Sequence, residues 1–308
     1  MAVSLEDRYL GSLLGLACGD AVGTAVEFSP RGSFPPVTGM TGGGPFALPP
    51  GYWTDDTSMA LCLAASLLDM QGFDALDQMH RYRRWWREGY LSSTGRCFDI
   101  GGTVRQALLR FEASGEPFAG SAESRSAGNG SLMRLAPVVL YYFGDPGRVV
   151  DCAVASSRTT HAAPEALESC RLLALLLERA LSGRPAADIL AIDADSFSEP
   201  AVAALARGEY RIKARGDIRG TGYCIAALEA ALWCFERTAT FEDAVLCAAN
   251  LGDDADTTAA IVGQLAGAHY GGSAIPVAWR ATLHADQEIA ATARALHSVA
   301  AARFAPTT

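Results

Sequence analysis

The sequence predicts an all-α fold, a single compact multi-helix globular domain, on three observations. Apolar residues recur at three- and four-residue spacing along most of the chain. Period-two alternation of the strand type is nearly absent, and no Pro/Ser-rich linker or charge run divides the 308 residues. Half of the residues are hydrophobic, enough for a substantial core, so the span 1–308 reads as one domain.

Taken in order, Ser4 and Asp7 form a cap-like pair, and Leu10, Leu13, Leu14, Ala17 and Ala21 follow at helical spacing. The first helix predicted there carries Gly11, Gly15, Gly19 and Gly23 at every fourth position. Each costs about 1 kcal/mol against Ala in a helix interior, and close approach of a second helix backbone is the expected compensation. Asp20 lies within this stripe and is expected as a hydrogen-bonded core carboxylate. From Ser29 to Gly51 the Pro and Gly content excludes a helix, and a loop of that length beside a charged cluster is expected to act as a flap over a site. Further helices are expected near 54–70, 74–88, 100–113, 131–143, 147–158, 164–182, 222–236, 241–250, 256–269 and 286–301, with short pieces near 186–192 and 199–206. The basic run from Arg81 to Arg87 reads as one of them, with Met79, Tyr82, Trp85 and Trp86 on a buried face and the arginines solvated.

Two stretches hold the chemistry. Tyr52-Trp53-Thr54-Asp55-Asp56-Thr57 opens one apolar helix, and Gly252-Asp253-Asp254-Ala255-Asp256-Thr257-Thr258 opens another some 200 residues later. A single cluster is explained by helix capping, where an oxygen accepts from free N–H groups and acids complement the dipole. Two clusters together supply more carboxylates and hydroxyls than caps require. If the helix starts converge, the carboxylates repel unless cations sit between them. Hard oxygen donors at that density suit Mg²⁺, Mn²⁺ or Ca²⁺ rather than zinc, and a binuclear metal centre of hard cations is the expected solution.

The net charge of −9 argues against general nucleic-acid binding, which calls for basic surfaces. Eight cysteines, at 18, 62, 97, 152, 170, 224, 234 and 247, show no Cys-x-x-Cys pairing and read as small buried hydrophobes. The start of the chain has no targeting pattern, and no uninterrupted apolar run of about 18 residues occurs, so a cytoplasmic protein without a membrane span is expected. Two loop motifs complete the set. Gly128-Asn129-Gly130-Ser131 would open a helix, where free N–H groups can cradle a phosphate, although a plain turn and cap accounts for it nearly as well. His161 closes Ser156-Ser-Arg-Thr-Thr-His in a helix connection, where capping and ligand contact are both open readings.

In this order, Gly15-Leu-Ala-Cys-Gly-Asp-Ala-Val-Gly with Glu27, Trp53-Thr-Asp-Asp-Thr, Gly128-Asn-Gly-Ser-Leu-Met-Arg, Thr160-His161 and Gly252-Asp-Asp-Ala-Asp-Thr-Thr resemble the ADP-ribosylglycohydrolase family. Cys97-Phe-Asp-Ile-Gly and the segment from Gly222 to Trp233 are most similar to the branch containing dinitrogenase-reductase-activating glycohydrolase. The resemblance implies two divalent cations, Mg²⁺ or Mn²⁺, held by Thr54, Asp55, Asp56, Asp254, Asp256 and Thr257. Asp253 stands where other branches have Gly, which leaves its role open. It further implies pyrophosphate binding at Asn129 and the backbone N–H groups of Gly130, Ser131 and Leu132, with His161 nearby, and Glu27 and Asp99 as the catalytic carboxylates. The implied activity is metal-dependent hydrolysis of mono-ADP-ribosylated arginine on a protein partner, with ADP-ribose as product. The alternatives are another ADP-ribose linkage (serine, O-acetyl-ADP-ribose or nucleic-acid-linked) or a non-catalytic ADP-ribose-binding relative.

Overall fold

A computed structural model describes residues 3–304; residues 1, 2 and 305–308 of the expected span lie outside it. The helices are α1 (Leu5–Gly23), α2 (Asp55–Asp69), α3 (Ala75–Glu88), α4 (Gly102–Ser114), α5 (Ala136–Tyr142), α6 (Pro146–Arg158), α7 (Pro164–Leu181), α8 (Ala186–Ile189) and α9 (Pro200–Arg207). They continue as α10 (Cys224–Arg237), α11 (Phe241–Ala249), α12 (Ala255–Tyr270), α13 (Val277–Thr282) and α14 (Asp286–Phe304). Among the described residues the only extended pairings are isolated bridges, such as Gly128 with Tyr223, so the all-α expectation holds.

The axis of the molecule is α1 against α12. α1 starts as expected, with Ser4 accepting from the Asp7 N–H at 3.1 Å. Its glycine stripe then runs antiparallel along α12: a Cβ on Gly11 would lie 2.0 Å from the Gly267 carbonyl oxygen, one on Gly15 2.3 Å from that of Gly263, and one on Gly19 2.1 Å from that of Ala259. The contact is reciprocal, since a Cβ on Gly267 would stand 1.9 Å from the Gly11 oxygen. No side chain fits at these distances, and the backbones touch directly. The segment 5–26 is long and apolar enough to cross a membrane, but it is 89% buried within the protein. Its apolar surface is therefore consumed by packing.

Around this pair, α11 and α10 cover α12, α14 and α5 cover α1, and α7 lies against both α12 and α6. A second, smaller core forms where α2, α3 and α4 meet, built on Met59, Met79, Tyr82, Trp85, Leu108 and Phe111. The arginine-rich helix α3 thus buries Met79, Tyr82 and Trp85 as expected, while Trp86 is half-buried beneath Arg87 at 3.6 Å. The eight cysteines are all free thiols, six of them buried.

Two expectations need correction, and one short helix was not expected. The helix predicted over 131–143 begins only at Ala136, because residues 130–134 form a turn tied to α12 by Gln264. The buried Gln264 side chain accepts from the Ala136 N–H at 2.8 Å and donates to the Leu132 and Met133 carbonyls at 3.1 and 3.0 Å. The loop 29–51 supplies no residue to the cleft lining. Asn250 exchanges two hydrogen bonds with the Val37 backbone and the Arg31 guanidinium binds the Leu251, Arg215 and Ile218 carbonyls, which pin its first half to the α11 end. Phe46 packs at the cleft edge on Phe28 and Phe98, with ring centroids 6.4 and 5.3 Å away. The short helix α13 carries no periodic signal long enough to announce it.

The backbone contact makes a clear stability prediction. Gly267→Ala should cost about 3 kcal/mol or more, the upper end of overpacking, whereas Gly216→Ala, which meets nothing within 4 Å, should stay within about 0.5 kcal/mol of the parent. Denaturant unfolding of the two variants checks this, and equal effects would contradict the packing described.

Candidate active site

The antiparallel pairing brings the end of α1 to the start of α12, with Gly23 packed on the backbone of Ala255 and Asp256. Asp20, fully buried one turn earlier, reaches instead to the start of α2. Its Oδ1 accepts from the Thr54 N–H and hydroxyl, both at 2.9 Å, and its Oδ2 accepts from the Thr57 N–H at 3.0 Å and hydroxyl at 2.6 Å. One carboxylate on α1 therefore caps α2 in place of a local side chain. The two helix starts are also cross-bonded: the Thr54 hydroxyl lies 3.3 Å from Asp256 Oδ2, and the Thr257 hydroxyl donates to Asp56 Oδ1 at 3.2 Å.

All six expected ligands, Thr54, Asp55, Asp56, Asp254, Asp256 and Thr257, thus converge on one centre. Within it two carboxylate trios, Asp20–Asp56–Asp256 and Glu27–Asp99–Asp256, each have oxygens within 4.8 Å of one another, and Asp256 belongs to both. Asp56 Oδ2 and Glu27 Oε2 are buried without a hydrogen-bond partner. Orphaned oxygens, a shared central aspartate and an all-oxygen donor set fit hard divalent cations. Asp254 is held at the rim by Asn129, whose Nδ2 donates to Oδ2 at 2.7 Å.

Burial, and then mutual repulsion, raises the acids of this centre. Burial pushes the Asp20 carboxyl up to about 6, against four hydrogen bonds that lower it. Asp99 is pushed up to about 7 by burial and then by Asp20 and Asp254. Glu27 is raised by burial and by Asp256 and Asp99. Asp55, Asp56 and Asp256 are raised well above the ordinary range, again by burial first and then by a neighbouring carboxylate, which is Asp99 for Asp55, Asp256 for Asp56 and Asp254 for Asp256.

Above the acids opens a cleft of about 560 Å³, lined by Glu27, Asp55, Asp99, Asp254 and Thr257 on one side and by Gly128, Asn129, Gly130 and His161 on another. Three of its lining residues, Phe28, Asp99 and Asp253, hold left-handed φ angles of 61°, 55° and 60°, strain of the kind that collects at functional sites. Phe28 and Asp253 support each other, since the Phe28 N–H donates to the Asp253 carbonyl at 2.7 Å. The Asp253 side chain turns outward to Arg219 at 2.8 Å, so it stands outside both trios.

On the opposite wall, the Leu132 and Met133 N–H groups both donate to the Asn129 carbonyl, at 2.8 and 3.2 Å, and the Asn129 N–H donates to the Gly222 carbonyl at 3.0 Å. Only the Gly130 and Ser131 N–H groups of the expected trio lack an internal acceptor among the described residues, so Leu132 is not an available donor. The Ser131 hydroxyl points inward, accepting from Ser157 at 2.9 Å. His161 is buried at the cleft wall, and burial together with Arg134 holds its imidazole down to about 3, so it is neutral. Sequence reasoning missed Arg219 and Thr221, which line the cleft from a segment with neither periodicity nor motif, and read Gly222 beside them as the start of a helix.

The family model described as ADP-ribosylglycohydrolase matches residues 1–306. The chain is 43% identical over 295 residues to ADP-ribosylarginine hydrolase Tri1 of Serratia proteamaculans (strain 568), covering 96% of this chain and 80% of that protein. It is 33% identical over 291 residues to the ADP-ribosyl-[dinitrogen reductase] glycohydrolase of Rhodospirillum rubrum, covering 91% of each. A solved structure titled ADP-ribosylglycohydrolase-related protein complex superposes with a TM-score of 0.87 at 47% identity, over 96% of this chain and 99% of that one.

The raised carboxyls set a pH dependence. With Asp20 near 6 and Asp99 near 7 in the folded state, against about 4 unfolded, the native protein holds protons between roughly pH 4 and 7 that the unfolded chain has released. That stability is present at low pH and lost as pH rises through the folded values. In chelator the melting temperature should therefore fall from about pH 5 to pH 8, and added Mg²⁺ or Mn²⁺ should raise it most at the higher pH. A melting temperature that climbs with pH in chelator would overturn this account of the centre.

Proposed function

Since the chain belongs to the ADP-ribosylglycohydrolase family and is a glycohydrolase, we propose that it hydrolyses the bond between ADP-ribose and an arginine side chain of a modified protein, with two divalent cations, Mg²⁺ or Mn²⁺, as cofactors. The observation that carries this reading is the opposition, across one cleft, of two carboxylate trios and a turn with open N–H groups. One wall suits a cation-assisted ribose and a cationic leaving group; the other suits a pyrophosphate. The name of the Serratia relative supports arginine as the linkage.

The cations would be held by Thr54, Asp55, Asp56, Asp254, Asp256 and Thr257, where they would offset the carboxylate repulsion, engage the distal ribose hydroxyls and make a water more acidic. The rest of the chemistry belongs to the chain. The Gly130 and Ser131 N–H groups would bind the pyrophosphate, since a net-acidic protein meets a dianion with fixed dipoles. As the C1–N bond breaks through an oxocarbenium-like state, its electron pair goes to the guanidino nitrogen, which takes a proton, while a water oxygen joins C1 and gives one up. Glu27 and Asp99, which line the cleft, would give or take these protons, and Asp99, raised to about 7, could exchange one at neutral pH. The left-handed backbone at Asp99 turns its carboxyl toward Asp55 and Glu27, in the half of the cleft where the leaving guanidine would stand.

Two outcomes follow. Hydrolysis of ADP-ribosyl-arginine should fall to background in chelator and return with Mg²⁺ or Mn²⁺, and Asp56→Ala or Asp256→Ala should lower it by more than the roughly 10–100-fold loss expected of a merely supporting residue. Full activity in chelator would remove the cations from the scheme. Asp99→Asn should lower kcat/KM for ADP-ribosyl-arginine by about 10²–10⁴-fold while leaving the Kd for free ADP-ribose within about threefold. Parallel assays of serine- and nucleotide-linked substrates on the parent would expose a different linkage preference.

A further inference from the structure

Arg134 is fully buried, yet among the described residues no carboxylate pairs with it. Its guanidinium lies 4.6 Å from the Tyr82 ring centroid, its Nη1 is 3.6 Å from Met59 Sδ, and its Nε has no hydrogen-bond partner. The one strong contact is Nη2 donating to Thr160 Oγ1 at 2.6 Å. A buried cation without a counter-ion is expensive, so its direction of action is informative. Thr160 Oγ1 in turn lies 2.8 Å from His161 Nδ1.

The proton count along this chain has one fully satisfied solution. Arg134 can only donate, so Thr160 Oγ1 accepts from it. If His161 carried its proton on Nδ1, Thr160 would accept twice and its own hydroxyl proton would have no acceptor. If Nδ1 is bare, Thr160 donates to it, and both the Thr160 hydroxyl and Nδ1 are paired. The adjacent cation polarises the hydroxyl and strengthens that donation. The neutral ring then keeps its proton on Nε2. That edge faces the cleft turn: a Cβ on Gly128 would lie 3.1 Å from Nε2, and one on Gly130 2.8 Å from Cε1, so only glycines admit the ring there.

We propose that Arg134 is a positioning residue which, through Thr160, fixes His161 as the Nε2–H tautomer, presenting a third donor to the anionic group bound beside the Gly130 and Ser131 N–H groups. The ligand half of this statement rests on the pyrophosphate reading above; the tautomer half does not. It also accounts for a buried arginine in the Gly-Asn-Gly-Ser-Leu-Met-Arg motif, which has no acidic partner to explain it.

Long-range ¹⁵N–¹H correlation spectra of the full chain labelled at histidine read the tautomer directly, with His161→Gln identifying the resonances among the five histidines. The parent should show a protonated Nε2 and a bare Nδ1 at His161. Thr160→Val and Arg134→Met should give mixed tautomers, and Thr160→Ser should restore the parent pattern. In calorimetry, Thr160→Val should weaken ADP-ribose binding by about tenfold, the loss of one good hydrogen bond to a charged group, and Thr160→Ser should not. A parent spectrum with the proton on Nδ1 overturns the proposal without any variant, and so does an unchanged tautomer in both Thr160→Val and Arg134→Met. If the parent shows the expected tautomer but fails to bind ADP-ribose, it is the substrate reading that falls.

Discussion

The direct backbone contact between α1 and α12 is the constraint on which the rest depends. Side chains of ordinary size would hold two helices 8–10 Å apart, and the four-residue glycine stripe removes them. At the distances found, a carbonyl oxygen of one helix occupies the space of a Cβ on the other, from Gly11 and Gly267 at one end to Gly19 and Ala259 near the other. The conformational cost of the glycines is offset by burial of the whole face. The contact also sets register: it puts Asp20 within reach of Thr54 and Thr57 while Gly23 lies against Asp256. A slip of one turn along the pair would separate the two acidic helix starts.

That register creates an electrostatic problem. Asp20, Asp55, Asp56 and Asp256 are buried together, Glu27 and Asp99 crowd in beside them, and the guanidinium that lines the cleft, that of Arg219, is occupied by Asp253. The N-termini of α2 and α12 point their positive ends into this volume, which helps but amounts to about half a charge each. Raised carboxyl values are the signature of what remains uncompensated. Carboxylate trios around two orphaned oxygens could hold a cation, and the left-handed backbone at Phe28, Asp99 and Asp253 shows that local backbone comfort is also given up to shape the cleft.

The facing wall solves the complementary problem with neutral donors. Gln264, on α12, anchors the 130–134 turn from beneath, which couples the position of that turn to the same helix that opens with Asp254 and Asp256. Asn129 ties the turn again to the acids through Asp254. The two walls are therefore referenced to a single rigid element, so their separation is not left to loop flexibility.

Much of this was legible in the chain. Of the ten longer helices with stated bounds, periodicity located eight to within two residues, the Ser4–Asp7 cap is real, and the glycine stripe foretold a close helix neighbour without naming α12. The acidic motifs announced their own convergence, since carboxylates at that density have few other uses. What the sequence could not determine is long-range hydrogen bonding, because a donor's partner is chosen by the fold and leaves no periodic trace. Gln264 took Ala136 as the start of α5 and shortened the expected helix; Asn250 and Arg31 fixed the first half of the 29–51 loop against the α11 end; the Asn129 carbonyl occupied the Leu132 N–H that had been expected as a free donor. Local propensity and burial pattern are encoded residue by residue, whereas the question of which buried polar group satisfies which is answered only when segments 100 or more residues apart are packed together.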